Sequence, residues 1–155
     1  MSQAEIVGPV DESVGYVLKK AASALRAAMD AALRPVDLTV PQYACLELLG
    51  QRPGLSGSEL ARAVFVTRQS MNLVLHGLER RGLLTRPAVP GHGKALPTEL
   101  TPAGRGQLRA ASRAVRAVED KMLAGLTPAA QRRLCKDLSA CAAALGDQPI
   151  KPGND

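Results

Sequence analysis

Five Ser or Thr residues, each placed where an apolar helical pattern begins, divide this chain into helices. Such a side chain accepts a hydrogen bond from a backbone amide that has no partner inside the helix. Two of the five are followed by Pro, which suits the first position of a helix. A chain interrupted in this way is constrained to be mainly helical. The five positions are Thr39, Ser56, Thr67, Thr101 and Thr127.

Apolar residues at helical spacing define the elements between these caps. They predict a long first helix from about Glu12 to Leu33, which Pro35 ends. A second, core-facing helix follows Thr39. The S-x-x-E pattern of Ser56 and Glu59 predicts a capping box, in which each side chain satisfies a backbone donor at the start of a third helix.

The fourth helix starts at Thr67, only a few residues after the third, so the two meet across a tight turn. Val66 and Met71 are placed to form a hydrophobic staple across the helix start. Apolar residues at i, i+3, i+4 and i+7 predict that one face of the helix packs inward. These residues are Met71, Val74, Leu75 and Leu78.

The opposite face of the fourth helix carries polar and basic side chains. Arg, Gln and Asn present forked donors and acceptors that match base edges in a DNA major groove. Thr67 and Ser70, with the N-terminal amides, could hold a phosphate. The alternative interpretation is an ordinary solvated helix start. The outward residues are Arg68, Gln69, Asn72, Leu73 and His76.

Two extended stretches follow the fourth helix. "GLLTRPAV" after Gly82 and "KALPTELT" flank the turn-forming "PGHG", and together they predict a β-hairpin. Helix, turn, helix and hairpin make a winged helix-turn-helix. Arg86, His92 and Lys94 lie on the hairpin, where they could reach the minor groove or phosphates, or could simply be solvated.

Long helices flank this winged unit and predict pairing of two chains. The first helix and the two that follow Thr101 and Thr127 exceed what a small winged core needs, and a homodimer would place two reading helices on one DNA. The last helix is predicted to turn Leu134, Leu138, Cys141 and Leu145 inward. The predicted organisation is a flexible N-terminus at 1–11, a dimerisation region at 12–37 and 101–146, a winged helix-turn-helix at 38–100 and a flexible tail at 147–155.

Composition narrows the class of function. The chain has 155 residues, with 20 Lys and Arg against 14 Asp and Glu, a net charge of +6 that favours a polyanionic partner. Three Cys in no metal-ligand spacing indicate neither a disulfide framework nor a zinc site, and they suit a reducing cytoplasm. We expect no catalytic site and no cofactor. Cys45, Cys135 and Cys141 are each interpreted as small buried hydrophobes.

In "SELARAVFVTRQSM", "LERRGLLTR" and "LTPAGR", in that order, the sequence resembles the MarR family of bacterial transcriptional regulators. The resemblance covers nearly the whole chain. It implies a dimer that binds a pseudo-palindromic operator on double-stranded DNA and usually represses transcription. It also implies that five positions of the recognition helix touch DNA, namely Thr67, Arg68, Gln69, Ser70 and Asn72.

The sequence departs from the family pattern in three places. Phe65 stands where a turn Gly is common, so we expect a turn closed without a left-handed Gly and Phe65 packed as a core plug. Leu73 replaces a common basic residue, which removes a contact or substitutes an apolar contact with a thymine methyl. The wing carries His92 and Lys94 where an Asp and an Arg are usual.

The resemblance further implies a small-molecule effector that binds between the dimer helices and the winged unit and weakens operator binding. Tyr16, Arg26 and Tyr43 are candidates for lining that pocket, although core packing explains the tyrosines equally well. Two alternatives stay open at this point. One is a redox-responsive regulator that acts through a cysteine, and the other is a helical protein-interaction module without DNA binding.

Overall fold

The computed structural model describes residues 1–86 and 97–146, which form seven α-helices and one two-stranded sheet. The predicted fold class, mainly α with a small β-hairpin wing, is confirmed for these residues. Predictions for His92, Lys94 and the 147–155 tail lie outside them. The elements are α1 (Gln3–Val7), α2 (Val14–Leu33), α3 (Val40–Gln51), α4 (Gly57–Val64), α5 (Arg68–Arg80), β1 (Leu84–Thr85), β2 (Glu99–Leu100), α6 (Pro102–Leu123) and α7 (Pro128–Ala144).

The N-terminal region is more helical than the sequence predicts. Residues 1–11, predicted to be a flexible N-terminus, include α1 and the start of a single 3-10 turn, Val10–Glu12. The first long helix begins two residues later than expected, at Val14. Among the described residues, no helix is both long enough and apolar enough to span a membrane.

All five predicted caps are confirmed. Each Ser or Thr oxygen accepts a hydrogen bond from the backbone N–H three residues later, at 3.0 to 3.3 Å. The predicted capping box at Ser56 is only half formed. The Glu59 carboxylate accepts a hydrogen bond from the Ser56 hydroxyl at 3.0 Å, and not from the Ser56 backbone N–H as a complete box requires. The complete box is at α3, where the Gln42 side chain accepts from the Thr39 amide at 2.9 Å.

The core is mainly leucine, and α3, α4 and α5 contribute many of its residues. The predicted inward stripe of α5 is confirmed, since Met71, Leu75 and Leu78 are completely buried and Val74 packs against them. The other fully or nearly buried apolar residues of the core are Leu33, Leu38, Cys45, Leu46, Leu49, Leu55, Leu60, Ala61, Leu83, Leu84 and Ala111.

The last helix does not bury its apolar face within the chain. Leu134, Leu138, Cys141 and Leu145 were expected to point inward, but no residue of α7 is buried and Leu145 is 92% exposed. The prediction was wrong for the single chain because none of the other described elements packs closely along this helix. The first turns of α2 are similarly open, with Val14, Val17 and Leu18 exposed.

The "LTPAG" stretch joins the hairpin to the long helix α6. In the hairpin, Leu84 pairs with Leu100 and Thr85 with Glu99. The Thr101 hydroxyl donates to the carbonyl oxygen of Gly82 at 2.5 Å, and its amide donates to that of Leu83 at 3.2 Å. Gly104 permits this approach, because a Cβ there would lie only 1.9 Å from the Leu83 oxygen.

We predict that Gly104→Ala lowers the free energy of unfolding by about 1–3 kcal/mol, because the added methyl must push α6 away from the backbone of Leu83. Gly106→Ala, two residues along the same helix, is the matched control. Its Cβ would meet only the Arg109 guanidinium at 4.0 Å, so higher helix propensity should raise stability by up to about 1 kcal/mol. Thermal or urea unfolding measures both. Equal stability of the two variants would contradict the proposed close approach.

Candidate nucleic-acid interface

The turn between α4 and α5 is closed by a residue in the left-handed conformation. Phe65 has φ 61° and ψ 39°, and its amide donates to the carbonyl of Ala61. The expectation of a core plug was wrong, since Phe65 is 85% exposed. A left-handed residue at a helix end redirects the chain, and here it is the next residue, Val66, that packs against the core. An L-residue other than Asn or Asp adopts this conformation at a cost of about 1–2 kcal/mol.

The predicted reading face of α5 is exposed as a unit. All five side chains predicted to point outward are exposed, and among them Leu73 is 71% exposed. At the helix start the Thr67 oxygen accepts from the Ser70 amide at 3.0 Å, and the Thr67 hydroxyl lies 3.0 Å from that of Ser70. The face consists of Arg68, Gln69, Asn72, Leu73 and His76.

Arg86, the one wing residue of the three that lies in the described part of the chain, forms an ion pair. Its guanidinium lies 3.5 Å from the carboxylate of Glu79 on α5, and its side chain is only 20% exposed. The ion pair therefore connects the start of the wing to α5 and partly neutralises the charge of Arg86.

Arg81 is a positioning residue that the sequence analysis did not identify. It follows the last turn of α5 and donates to the carbonyl of Asp37 at 2.8 Å, with the Asp37 carboxylate 3.9 Å away. Asp37 has φ 55° and ends the 3-10 turn Arg34–Val36 in the connector between α2 and α3. Gln107 of α6 donates to the carbonyl of the neighbouring Val36. The connector is therefore held by α5 and α6 together.

A groove between α3 and α6 contains one of the predicted effector residues. It has a volume of about 550 Å³ and includes Tyr43, Glu47, Ser112, Arg113 and Arg116 in its walls. Glu47 is the centre of its hydrogen bonds, because it accepts from Tyr43 at 3.4 Å and from Ser112 at 3.1 Å. The sequence offered one indication that Glu47 belongs to this groove, because it is a carboxylate one helical turn after Tyr43 on a core-facing helix.

Burial raises the pKa of Tyr43 above its ordinary value, and the neighbouring Glu47 carboxylate raises it further, although the hydrogen bond with Ser112 opposes the shift. The phenol is therefore neutral and remains a hydrogen-bond donor in the groove.

The structure does not bring the three predicted effector residues together within one chain. Tyr16 lines a separate groove with Lys20 of α2 and Asp11 of the preceding 3-10 turn. Arg26 is exposed and pairs with Asp30 of its own helix at 3.5 Å.

The three cysteines have different environments. Cys45 is buried in the core as expected, and burial raises the pKa of its thiol to about 12. Cys135 and Cys141 are exposed on α7, so their predicted burial was wrong for the single chain. Within residues 1–86 and 97–146, no three His, Cys, Asp or Glu side chains come together as a metal site requires.

This arrangement of helices matches known proteins in sequence as well as in shape. A protein-family sequence model described as MarR family matches residues 36–95 of this chain. The HTH-type transcriptional repressor Rv2887 of Mycobacterium tuberculosis is 45% identical over 122 residues, which are 79% of this chain and 88% of the relative. The chain belongs to the MarR family. The resemblance in the sequence is thereby confirmed, and so is the winged helix-turn-helix character of the fold.

This MarR-family chain is similar to solved structures of Rv2887, some of which contain a bound ligand or DNA. The crystal structure of Rv2887 with salicylic acid is similar with a TM-score of 0.70 at 43% identity, covering 84% of this chain and 97% of that one. The crystal structure of Rv2887 with DNA has a TM-score of 0.70 at 41% identity, covering 84% and 98%.

We predict that Cys45 is unreactive in the folded MarR-family protein. With a pKa of about 12, only about one thiol in ten thousand is ionised at pH 8, and the thiolate is the reactive form. A Cys135→Ser, Cys141→Ser double variant leaves Cys45 as the single thiol. Titration with a chromogenic disulfide should detect no rapid reaction in the native variant and one thiol in denaturant. A rapid native reaction would contradict this prediction and would support a redox-responsive regulator that acts through Cys45.

Proposed function

We propose that this protein is a cytoplasmic, dimeric, sequence-specific DNA-binding regulator that represses transcription and is released from its operator by a small-molecule effector. The observation that carries the proposal is the exposed polar and basic face of α5, held outward by a buried stripe on the same helix. Membership of the MarR family and similarity to a repressor solved with DNA support the same conclusion.

The proposed contacts divide by chemistry. Arg68, Gln69 and Asn72 carry forked groups suited to base edges in the major groove. Thr67 and Ser70 cap the helix start, where free backbone amides favour a phosphate. On this proposal Leu73 and His76 complete the face, and the wing adds Arg86 with the predicted contacts His92 and Lys94.

The dimer is proposed from the apolar faces that a single chain leaves uncovered. Leu134 and Leu138 lie one turn apart on α7, and each remains about 40% exposed. On α2, Val14 and Val17 are also exposed. Burial of such stripes against a second copy is favourable at about 25 cal/mol per Å². We therefore assign dimerisation to residues 12–37 and 101–146 and DNA binding to residues 38–100.

The proposed effector is a small aromatic acid. Rv2887 has been solved with salicylic acid and with p-aminosalicylic acid. In this chain the groove of Tyr43 is flanked by Arg113 and Arg116, whose cationic side chains suit an anion. The groove lies between α3 of the winged unit and α6 of the dimerisation region, so a ligand that prefers one spacing of these helices would shift the protein away from its DNA-bound state.

We predict that Arg68→Ala weakens binding to the operator by at least about tenfold, because each chain loses a base-edge contact of roughly 1–3 kcal/mol. A titration of fragments from the protein's own upstream region, with scrambled competitor and at two salt concentrations, measures this. Wild-type binding should be selective and should weaken steeply with salt.

The matched control is Arg133→Ala, which removes the same charge from an arginine on α7 that is 81% exposed and pairs with Asp137 of the same helix. Its affinity should stay within about twofold of the wild type, because exposed ion pairs contribute little. An equal loss in both variants, with both still the same size as the wild type in size-exclusion chromatography, would show that only net charge matters. Salicylate added to the wild-type complex tests the effector class, and undiminished binding at millimolar salicylate would contradict it.

A further inference from the structure

The exposed face of the recognition helix carries one apolar side chain among polar ones. Leu73 is 71% exposed, whereas the other leucines of α5, Leu75 and Leu78, are completely buried. A single exposed leucine is common on protein surfaces. This one lies on the face with Gln69, Asn72 and His76, at i−4, i−1 and i+3, so it is at the centre of the proposed contact surface.

An apolar group at that place has few favourable partners on DNA. Phosphates and most base-edge atoms are hydrogen-bonding groups, which a leucine would desolvate without replacing their bonds to water. The thymine 5-methyl group is the apolar feature of the major groove. We propose that Leu73 is a specificity-determining residue that recognises thymine in each half-site through this methyl group. The inference rests on the proposed function.

The neighbours of Leu73 suit the same stretch of base pairs. Gln69 lies one helical turn before Leu73, and amide side chains pair bidentately with adenine. The Cβ atoms of two side chains one helical turn apart are about 5–6 Å from each other. This separation is longer than the distance between two stacked base pairs and shorter than twice that distance. Leu73 and Gln69 can therefore contact adjacent A·T base pairs, with the leucine on a thymine and the amide on an adenine.

Replacement of single thymines by deoxyuridine tests the proposal, because it removes the methyl group and leaves base pairing intact. Each thymine of the bound operator is replaced in turn and the affinity is measured for the wild type, Leu73→Ala and Asn72→Ala. In the wild type, one symmetry-related position in each half-site should lose about fourfold affinity for each methyl group, the effect of one buried carbon. Leu73→Ala should bind the unmodified operator more weakly and lose this sensitivity to deoxyuridine.

Asn72→Ala is the matched control, since it removes an adjacent side chain of the same face. It should bind the operator more weakly yet keep the full deoxyuridine effect. Because Leu73 is 71% exposed, Leu73→Ala should melt at the wild-type temperature, so weaker binding cannot be assigned to unfolding.

The outcomes separate this inference from the function on which it rests. Selective wild-type binding that no deoxyuridine changes would overturn the role of Leu73 and leave the regulator intact. Equal deoxyuridine sensitivity in Leu73→Ala would assign the methyl contact to another side chain, which also overturns it. Absence of selective binding by the wild type would overturn both.

Discussion

The rotation of α5 about its own axis is the constraint on which the site depends. Burial of Met71, Leu75 and Leu78 against α3 and α4 allows the helix one orientation only. A fully buried side chain of this size stabilises the fold by roughly 1.5–3 kcal/mol, so any other rotation would be strongly disfavoured. The same stripe therefore turns Arg68, Gln69 and the rest of the reading face outward. The proposed DNA-binding surface is therefore held in place by the core before DNA binds.

The reading helix is also tied to the long helices outside the winged unit. Arg81 and Gln107 hold the two neighbouring carbonyls of the connector that follows α2. At the other end of the unit, Thr101 and Gly104 hold the start of α6 against the strand that follows α5. These hydrogen bonds connect the long helices to both ends of the winged unit. Such a coupling is what a ligand between the helices needs in order to shift the population of operator-binding dimers.

Local signals predicted the helices well, because caps and apolar periodicity are properties of neighbouring residues. The five hydroxyl caps and the inward stripe of α5 follow from spacing alone. The conformation of Phe65 could not be predicted, because sequence shows that a turn is needed there but not which residue takes the left-handed conformation. The contacts of Arg81 with Asp37 and of Ser112 with Glu47 join residues 44 and 65 positions apart. No local pattern encodes such pairs, so the groove of Tyr43 emerges only from the folded chain. The inward assignment of α7 failed for a related reason, since no other described element of the single chain packs closely along its apolar stripe.

In the proposed dimer, two copies of α5 read one DNA from the same side. Hydroxyl-radical footprinting of the operator tests it most directly, because it maps protection of each strand at single-nucleotide resolution. We expect two protected half-sites related by a dyad, with centres one helical turn apart, roughly 34 Å. One protected segment without a dyad, or uniform protection along the fragment, would contradict it.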